Sequence, residues 1–231
     1  MLALGAAAAH AADGDDIPEA VYPKLTRHAA AADGFVPLGW KLERQLIGDL
    51  NRDGIPDLVL VLREDNPKNM WKHNALGENP LNTNPRILAV AIGNKSRGYD
   101  LKLENHTLIP RRDVPTVEDP LEEGDIAIDR DVLRVKLNYF TSAGSWSAFN
   151  STFRFRYRNG QLVLIGFDRY SFHRATGEST DVSINLLTGK IRTATGDMEN
   201  TDKKVSWTTL RNRKPISVEQ IENGLEFEPP R

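Results

Sequence analysis

The sequence predicts a mainly β protein built from antiparallel sheets, a sandwich or one strongly curled sheet, with an N-terminal helix and a short C-terminal helix. Three stretches carry that reading. In "VLRVKLNYF", Leu133, Val135, Leu137 and Tyr139 fall on one face and Arg134, Lys136 and Asn138 on the other, the period of two expected of a half-buried strand. "STFRFRYRNGQLVLIGFDRYSF" sets Phe153, Phe155 and Tyr157 against Arg154, Arg156 and Arg158, then turns at Asn159-Gly160, a two-residue hairpin signal. Leu58-Val59-Leu60-Val61-Leu62 is apolar on both faces, as in a strand covered on both sides.

Taken in order, Asp16 to Ala32 ("DIPEAVYPKLTRHAAAA") is the N-terminal helix candidate, interrupted by Pro23 and ended by Gly34. "WKLERQLIGDL" and "DLVLVLRE" are strands on either side of a polar loop. Residues 65–85 hold six Asn and three Pro without a regular period and read as a long loop. "RILAVAIGN" and "YDLKLEN" are two further strands, followed by a second loop from Pro110 to Gly124 that gathers Glu118, Asp119, Glu122 and Glu123. After the long hairpin, "TDVSINLLTGKIRTAT" turns at Thr188-Gly189 and "KVSWTTL" adds a strand. "ISVEQIENG" reads as the final helix, with Ser217 as N-cap and Gln220 completing a capping box. No unit recurs at a fixed spacing, which argues against a propeller or solenoid.

With 231 residues and 39% hydrophobic content, the chain is long and apolar enough for one substantial core. Thirty basic against 32 acidic residues leave a formal charge of -2, so no bulk field draws nucleic acid or anionic lipid. Residues 1–11 are read as the remnant of an export signal. They form an alanine-rich run ending in Ala9-His10-Ala11, a small-x-small cleavage pattern, although a basic segment before it is missing. Residues 12–231 would then form the mature β-rich domain, periplasmic or secreted. No other run reaches the roughly 18 apolar residues of a membrane span. The chain has no cysteine, so disulfides, thiolate metal sites and a cysteine nucleophile are excluded.

The chemistry is concentrated in "IGDLNRDGIPDLVLVL". Calcium takes six to eight hard oxygen ligands, which a loop supplies by alternating acidic or amide side chains along the backbone. At spacing 1, 3, 5 and 9 stand Asp49, Asn51, Asp53 and Asp57, with the Ile55 carbonyl at position 7 and Gly54 at the sharp turn of position 6. Leu60 at position 12 replaces the bidentate Glu of an EF-hand, so the expected site joins two strands and is completed by water or a distant residue. The plain alternative is a solubilising Asn-Arg-Asp-Gly turn. Three carboxylates within nine residues repel one another if bare, which favours the ion. The stretch resembles the calcium loop of FG-GAP repeats, found in integrin α-chain propellers and VCBS modules, whose core is D-x-[DN]-x-D-G-x-x-D followed by a hydrophobic strand. That resemblance implies calcium at these positions. It covers about 16 residues and occurs once, so it does not bring the propeller with it.

Other residues offer less. Ser142, Ser145 and Ser147 in "TSAGSWSAFN" do not fit a nucleophile elbow, and a hydrolase lacks an acid-base pair at workable spacing. The five histidines show no metal-ligand spacing and are expected at surface or half-buried positions. Trp71 and Trp146 could stack on sugar rings, although Trp more often fills a core. The Arg154, Arg156 and Arg158 stripe is expected to be a solvated strand face, and the acidic cluster near Glu122 a possible source of a further calcium ligand. The expectation is an exported calcium-binding β-domain that serves structure or recognition of a protein or glycan, with a Trp-based carbohydrate-binding module as the alternative and a hydrolase third.

Overall fold

The computed structural model describes residues 17–199, 202–211 and 214–229. The leader at 1–11 and the first residue of the expected N-terminal helix lie outside these. Two antiparallel sheets hold most of the chain. The first has the order β1 (His28–Ala29), β7 (Tyr99–Asn105), β6 (Arg86–Gly93), β3 (Asp57–Glu64), β2 (Trp40–Gly48). The second runs β14 (Lys204–Thr209), β13 (Lys190–Asp197), β12 (Glu178–Asn185), β11 (Gln161–His173), β10 (Ser147–Arg158), β9 (Val132–Tyr139), β8 (Asp125–Asp129), each strand beside its chain neighbour. One of the sheets curls into a half-barrel.

The core lies between the sheets. Val59, Val61, Leu88 and Val90 of the first face Leu133, Val135, Leu137, Phe153, Phe155 and Phe167 of the second, all buried. Strand alternation dictates this arrangement, because the odd and even residues of one strand must leave by opposite faces. In β3 the even positions Leu58, Leu60 and Leu62 therefore point away from that core, and all three are buried as well. Their cover is the N-terminal segment, which packs Leu25, Ala29, Ala32 and Phe35 against them. The run apolar on both faces is thus a strand buried on both sides.

The expected helices are absent. Among the described residues no helix reaches seven residues. Pro18 and Pro23 remove two backbone donors and push the residues before them out of the helical region. The segment instead runs extended over the sheet, pairs His28 and Ala29 with Asp100 and Tyr99, and makes a single 3-10 turn at Ala32–Phe35. At the other end the capping box of Ser217 and Gln220 forms as expected, but it caps only a 3-10 turn at Val218–Gln220. The C-terminal chain is held by tertiary contacts: Asn105 Nδ2 and Thr107 Oγ1 donate to the Val218 and Ile221 carbonyls, and Phe227 packs on Phe153 and Phe167.

The hairpin of β10 and β11 turns at Asn159 (φ 51°) and Gly160 (φ 81°), the two positive values that a type I′ turn requires. The Asn-rich segment 65–85 is more ordered than an irregular loop. It contains a short hairpin of β4 (Met70–Trp71) and β5 (Leu81–Asn82). Asn side chains do the work of missing backbone partners: Asn84 Oδ1 accepts from the Asn66 N–H and Asn69 Nδ2, while Asn66 Oδ1 accepts from the Lys68 N–H.

Candidate metal centre

The loop between β2 and β3 is wound tightly around Asp49. Asp49 Oδ1 accepts from the Arg52 N–H (2.7 Å) and the Asp53 N–H (3.1 Å), and Oδ2 accepts from the Gly54 N–H (2.9 Å). Asn51 Oδ1 accepts from the Asp53 N–H, its amide nitrogen donates to Asp53 Oδ2 at 2.9 Å, and Asp53 Oδ1 accepts from the Ile55 N–H. Such side-chain-to-backbone bonds are what Asp and Asn provide in tight turns. Two residues take positive φ here, Arg52 at 66° and Gly54 at 82°. Gly54 is the residue that adopts this without strain.

Asp57 differs from the other three. It is fully buried at the start of β3, and its carboxylate joins the loop to β6: Oδ2 accepts from the Leu50 N–H at 2.8 Å and Oδ1 from the Gly93 N–H at 2.9 Å. Burial pushes its pKa above the ordinary carboxylate value, and backbone N–H groups of Gly93, Leu50 and Asn51 partly offset that. Gly93 lets the loop lie this close, since a Cβ there would overlap the Pro56 carbonyl and the Ile55 side chain. Sequence spacing placed Asp57 in a ligand series; the structure adds that it pins the loop to the sheet.

The loop is also tied to the second sheet. Arg52 Nη2 lies 2.8 Å from Asp131 Oδ2 in the β8–β9 turn, and Arg156 Nε of β10 lies 2.8 Å from the same oxygen. Asp131 is buried, and the Arg52 hydrogen bond, with Arg156 beside it, holds its carboxyl below the usual range despite burial. Arg154 pairs with Asp168 on β11, so two arginines of the stripe, Arg154 and Arg156, are half-buried with carboxylate partners, and only Arg158 is exposed as expected.

Five oxygen donors therefore sit in one short loop: side chains of Asp49, Asn51, Asp53 and Asp57 and the carbonyl of Ile55. This donor set is hard and anionic, the chemistry calcium selects. As the loop stands, its carboxylates turn toward backbone N–H groups. Among the described residues no group of three or more His, Cys, Asp or Glu is gathered closely enough to hold a metal ion.

Asp119 of the second loop's acidic cluster lies elsewhere. Asp119 binds Arg86 at 2.7 Å, Glu43 binds the same guanidinium through Nε at 2.6 Å, and Arg63 lies 3.5 Å from Asp119. Arg63 and Asp57 are six residues apart on β3, about 20 Å at the rise of an extended strand, so Asp119 does not complete the loop. Burial alone would raise both carboxyls; hydrogen bonds and charge from Arg86 outweigh it and hold both below their usual values. Nothing in the sequence pairs Arg86 with Glu43 and Asp119, which are separated by 43 and 33 positions.

The remaining candidates fall apart from one another. Ser145 Oγ accepts from the Ser147 N–H and Ser142 Oγ donates to the Thr116 carbonyl, so both hydroxyls are engaged with backbone. His73 is buried, bonded to the Glu78 carbonyl and the Ala75 N–H, whereas a surface or half-buried place was expected. His106 is half-buried, stacked on Tyr22 at 4.0 Å, and burial lowers its pKa. Trp71 is half-buried against His73, while Trp146 is 63% exposed and lies over the Arg174 guanidinium, contrary to the core role expected of it. Trp207 on β14 is equally exposed, and sequence reasoning passed over it. No family model, curated protein or solved structure matches this chain.

Proposed function

We propose that this protein is an exported calcium-binding β-domain in which one ion, held by Asp49, Asn51, Asp53, the Ile55 carbonyl and Asp57, fixes the β2–β3 loop, and that the domain serves structure or recognition and not catalysis. The observation that carries the reading is the winding of residues 49–57 into one turn by backbone bonds to Asp49, Asn51 and Asp53, with Gly54 in the left-handed region. A divalent cation bound here would draw the carboxylates of Asp49, Asp53 and Asp57 inward and offset the mutual repulsion that this costs. Asp49 Oδ1 already accepts from two N–H groups, but Asp49 Oδ2 and the two oxygens of Asp53 each accept one hydrogen bond and keep a second acceptor position for the ion. Asn51 is the residue that must change: its amide nitrogen, now on Asp53 Oδ2, gives way so that the oxygen turns inward.

Calcium bound here clamps more than a loop. Asp57 reaches β6 through Gly93, and Arg52 reaches the β8–β9 turn through Asp131, so ordering this loop ties both sheets at one end. An extracytoplasmic site of this kind works at dissociation constants of about 10⁻⁴–10⁻³ M, matched to the millimolar calcium outside cells. Melting the chelator-stripped protein with and without calcium tests the reading: a calcium-dependent rise is expected for the native chain and none for Asp53→Ala. A native chain whose melting ignores calcium would overturn it. The glycan alternative draws support from the exposure of Trp146.

A further inference from the structure

We infer that the outer face of the β12–β14 edge, centred on Trp207, binds a glycan that carries carboxylates, a chain containing uronic acid. All six residues of β14 are exposed, and Trp207 presents 63% of its surface to solvent. A Trp left this open is unusual, because no other side chain loses as much apolar area on burial. The inference goes beyond the calcium reading, since no residue of the 49–57 loop lines this groove.

Strand register explains how the face is assembled. Trp207 lies opposite Arg192, and Arg192 opposite Ser183, which puts the three in one row across the sheet. Two positions on toward the turn, the next row on the same face pairs Asn185 with Lys190. A concavity of about 300 Å³ is lined by Ser183, Asn185, Thr188, Lys190, Arg192 and Trp207, and an adjoining one of about 510 Å³ shares Lys190 and Trp207. Both are shallow and open to solvent, which suits one face of a sugar chain laid on the sheet.

The lining specifies the ligand class. An indole offers a flat apolar surface to the C–H face of a pyranose ring. Hydroxyl and amide side chains both donate and accept, which matches sugar hydroxyls better than it matches an apolar side chain. The charges select a carboxylate. Asp181 is bound to Arg192 at 3.2 Å and Asp168, farther along the row, is bound to Arg154, so the acids of this face are neutralised. Among the described residues the Lys190 ammonium has no acidic partner, which leaves a net positive charge beside the indole. One unpaired cation is too few for a nucleic-acid footprint, and the chain as a whole is slightly acidic.

The test is a titration of the full chain with tetragalacturonate, followed by calorimetry in buffer containing chelator, so that its outcome is independent of the calcium loop. The native protein is expected to bind, and Trp207→Ala to bind about tenfold more weakly, the loss of roughly one aromatic contact. Trp207→Phe should recover part of that affinity, Lys190→Ala should weaken binding in a salt-dependent way, and Trp146→Ala should leave it unchanged. The neutral galactose tetramer should bind more weakly than the uronate. Trp207 is exposed, so its variants are expected to unfold at the native midpoint, which a urea titration confirms. Absence of binding by the native chain, or binding that Trp207→Ala leaves intact, overturns the inference. A native dimer that Trp207→Ala converts to monomer, with no glycan bound, would assign the edge to a second copy of the chain and likewise overturns it.

Discussion

Replacing Asp57 by Ala in metal-free protein should expose how much of the loop is held by one buried carboxylate. Asp57 is fully buried and accepts from two backbone donors, Leu50 N–H and Gly93 N–H. Removing it orphans both, and a buried unsatisfied donor costs about 1–3 kcal/mol, so the gross loss is about 2–6 kcal/mol. Part of this is returned, because Asp57 is held ionised against a burial penalty that raises its pKa. We therefore expect a net loss of about 2–4 kcal/mol, read as a shift of the urea midpoint in chelator at neutral pH with the slope unchanged. Asp57→Asn should come close to the same value, since its amide keeps one acceptor and turns a second donor toward the other N–H. A loss below about 1 kcal/mol for Asp57→Ala would show that water or relaxed backbone satisfies both donors, and would refute the staple.

Arg86→Met leaves the half-buried Glu43 and Asp119 without their main partner but with Arg63 still beside both, and should cost about 1.5–3 kcal/mol in chemical denaturation. The same pair sets a pH dependence. Glu43 and Asp119 have folded pKa values below their unfolded ones, so the stability they contribute is present above about pH 4 and lost as pH falls through the depressed folded values. Arg86→Met removes that contribution, and the gap between native and variant should accordingly narrow on acidification. A gap constant from pH 7 to pH 3 would contradict the assignment. Gly93→Ala should destabilise the chain and weaken calcium binding together, because the new Cβ meets the Pro56 carbonyl and the Ile55 side chain; paired melting and titration of the variant checks both.

Strand alternation made most of the second sheet legible, and Asn159-Gly160 fixed a turn to the residue, because both signals are local. The N-terminal segment was misread for a physical reason. Alanines and interspersed apolar residues satisfy a helix pattern, but Pro18 and Pro23 break it, and Leu25, Ala29, Ala32 and Phe35 are needed to cover the outer face of β3 and β6. What covers a sheet is a tertiary fact that the segment's own sequence does not contain. The 49–57 loop shows the same division. Spacing alone singles out Asp49, Asn51, Asp53 and Asp57 as candidate ligands, yet the anchoring of Asp57 depends on Gly93, 36 residues away, and the Arg52–Asp131 tie depends on the opposite sheet. Trp207 went unnoticed because one Trp in an alternating strand carries no mark of exposure; the edge position does.

Calorimetric titration of calcium into the chelator-stripped native chain, repeated on Asp49→Ala and Asp53→Ala, tests the central claim most directly. One ion should bind per native chain with a dissociation constant of about 10⁻⁴–10⁻³ M, and neither variant should bind. At a calcium concentration one hundred times that constant, the bound ion should add about 2.7 kcal/mol to the stability of the native protein. No saturable binding by the native chain, or binding of equal strength in both variants, would contradict it.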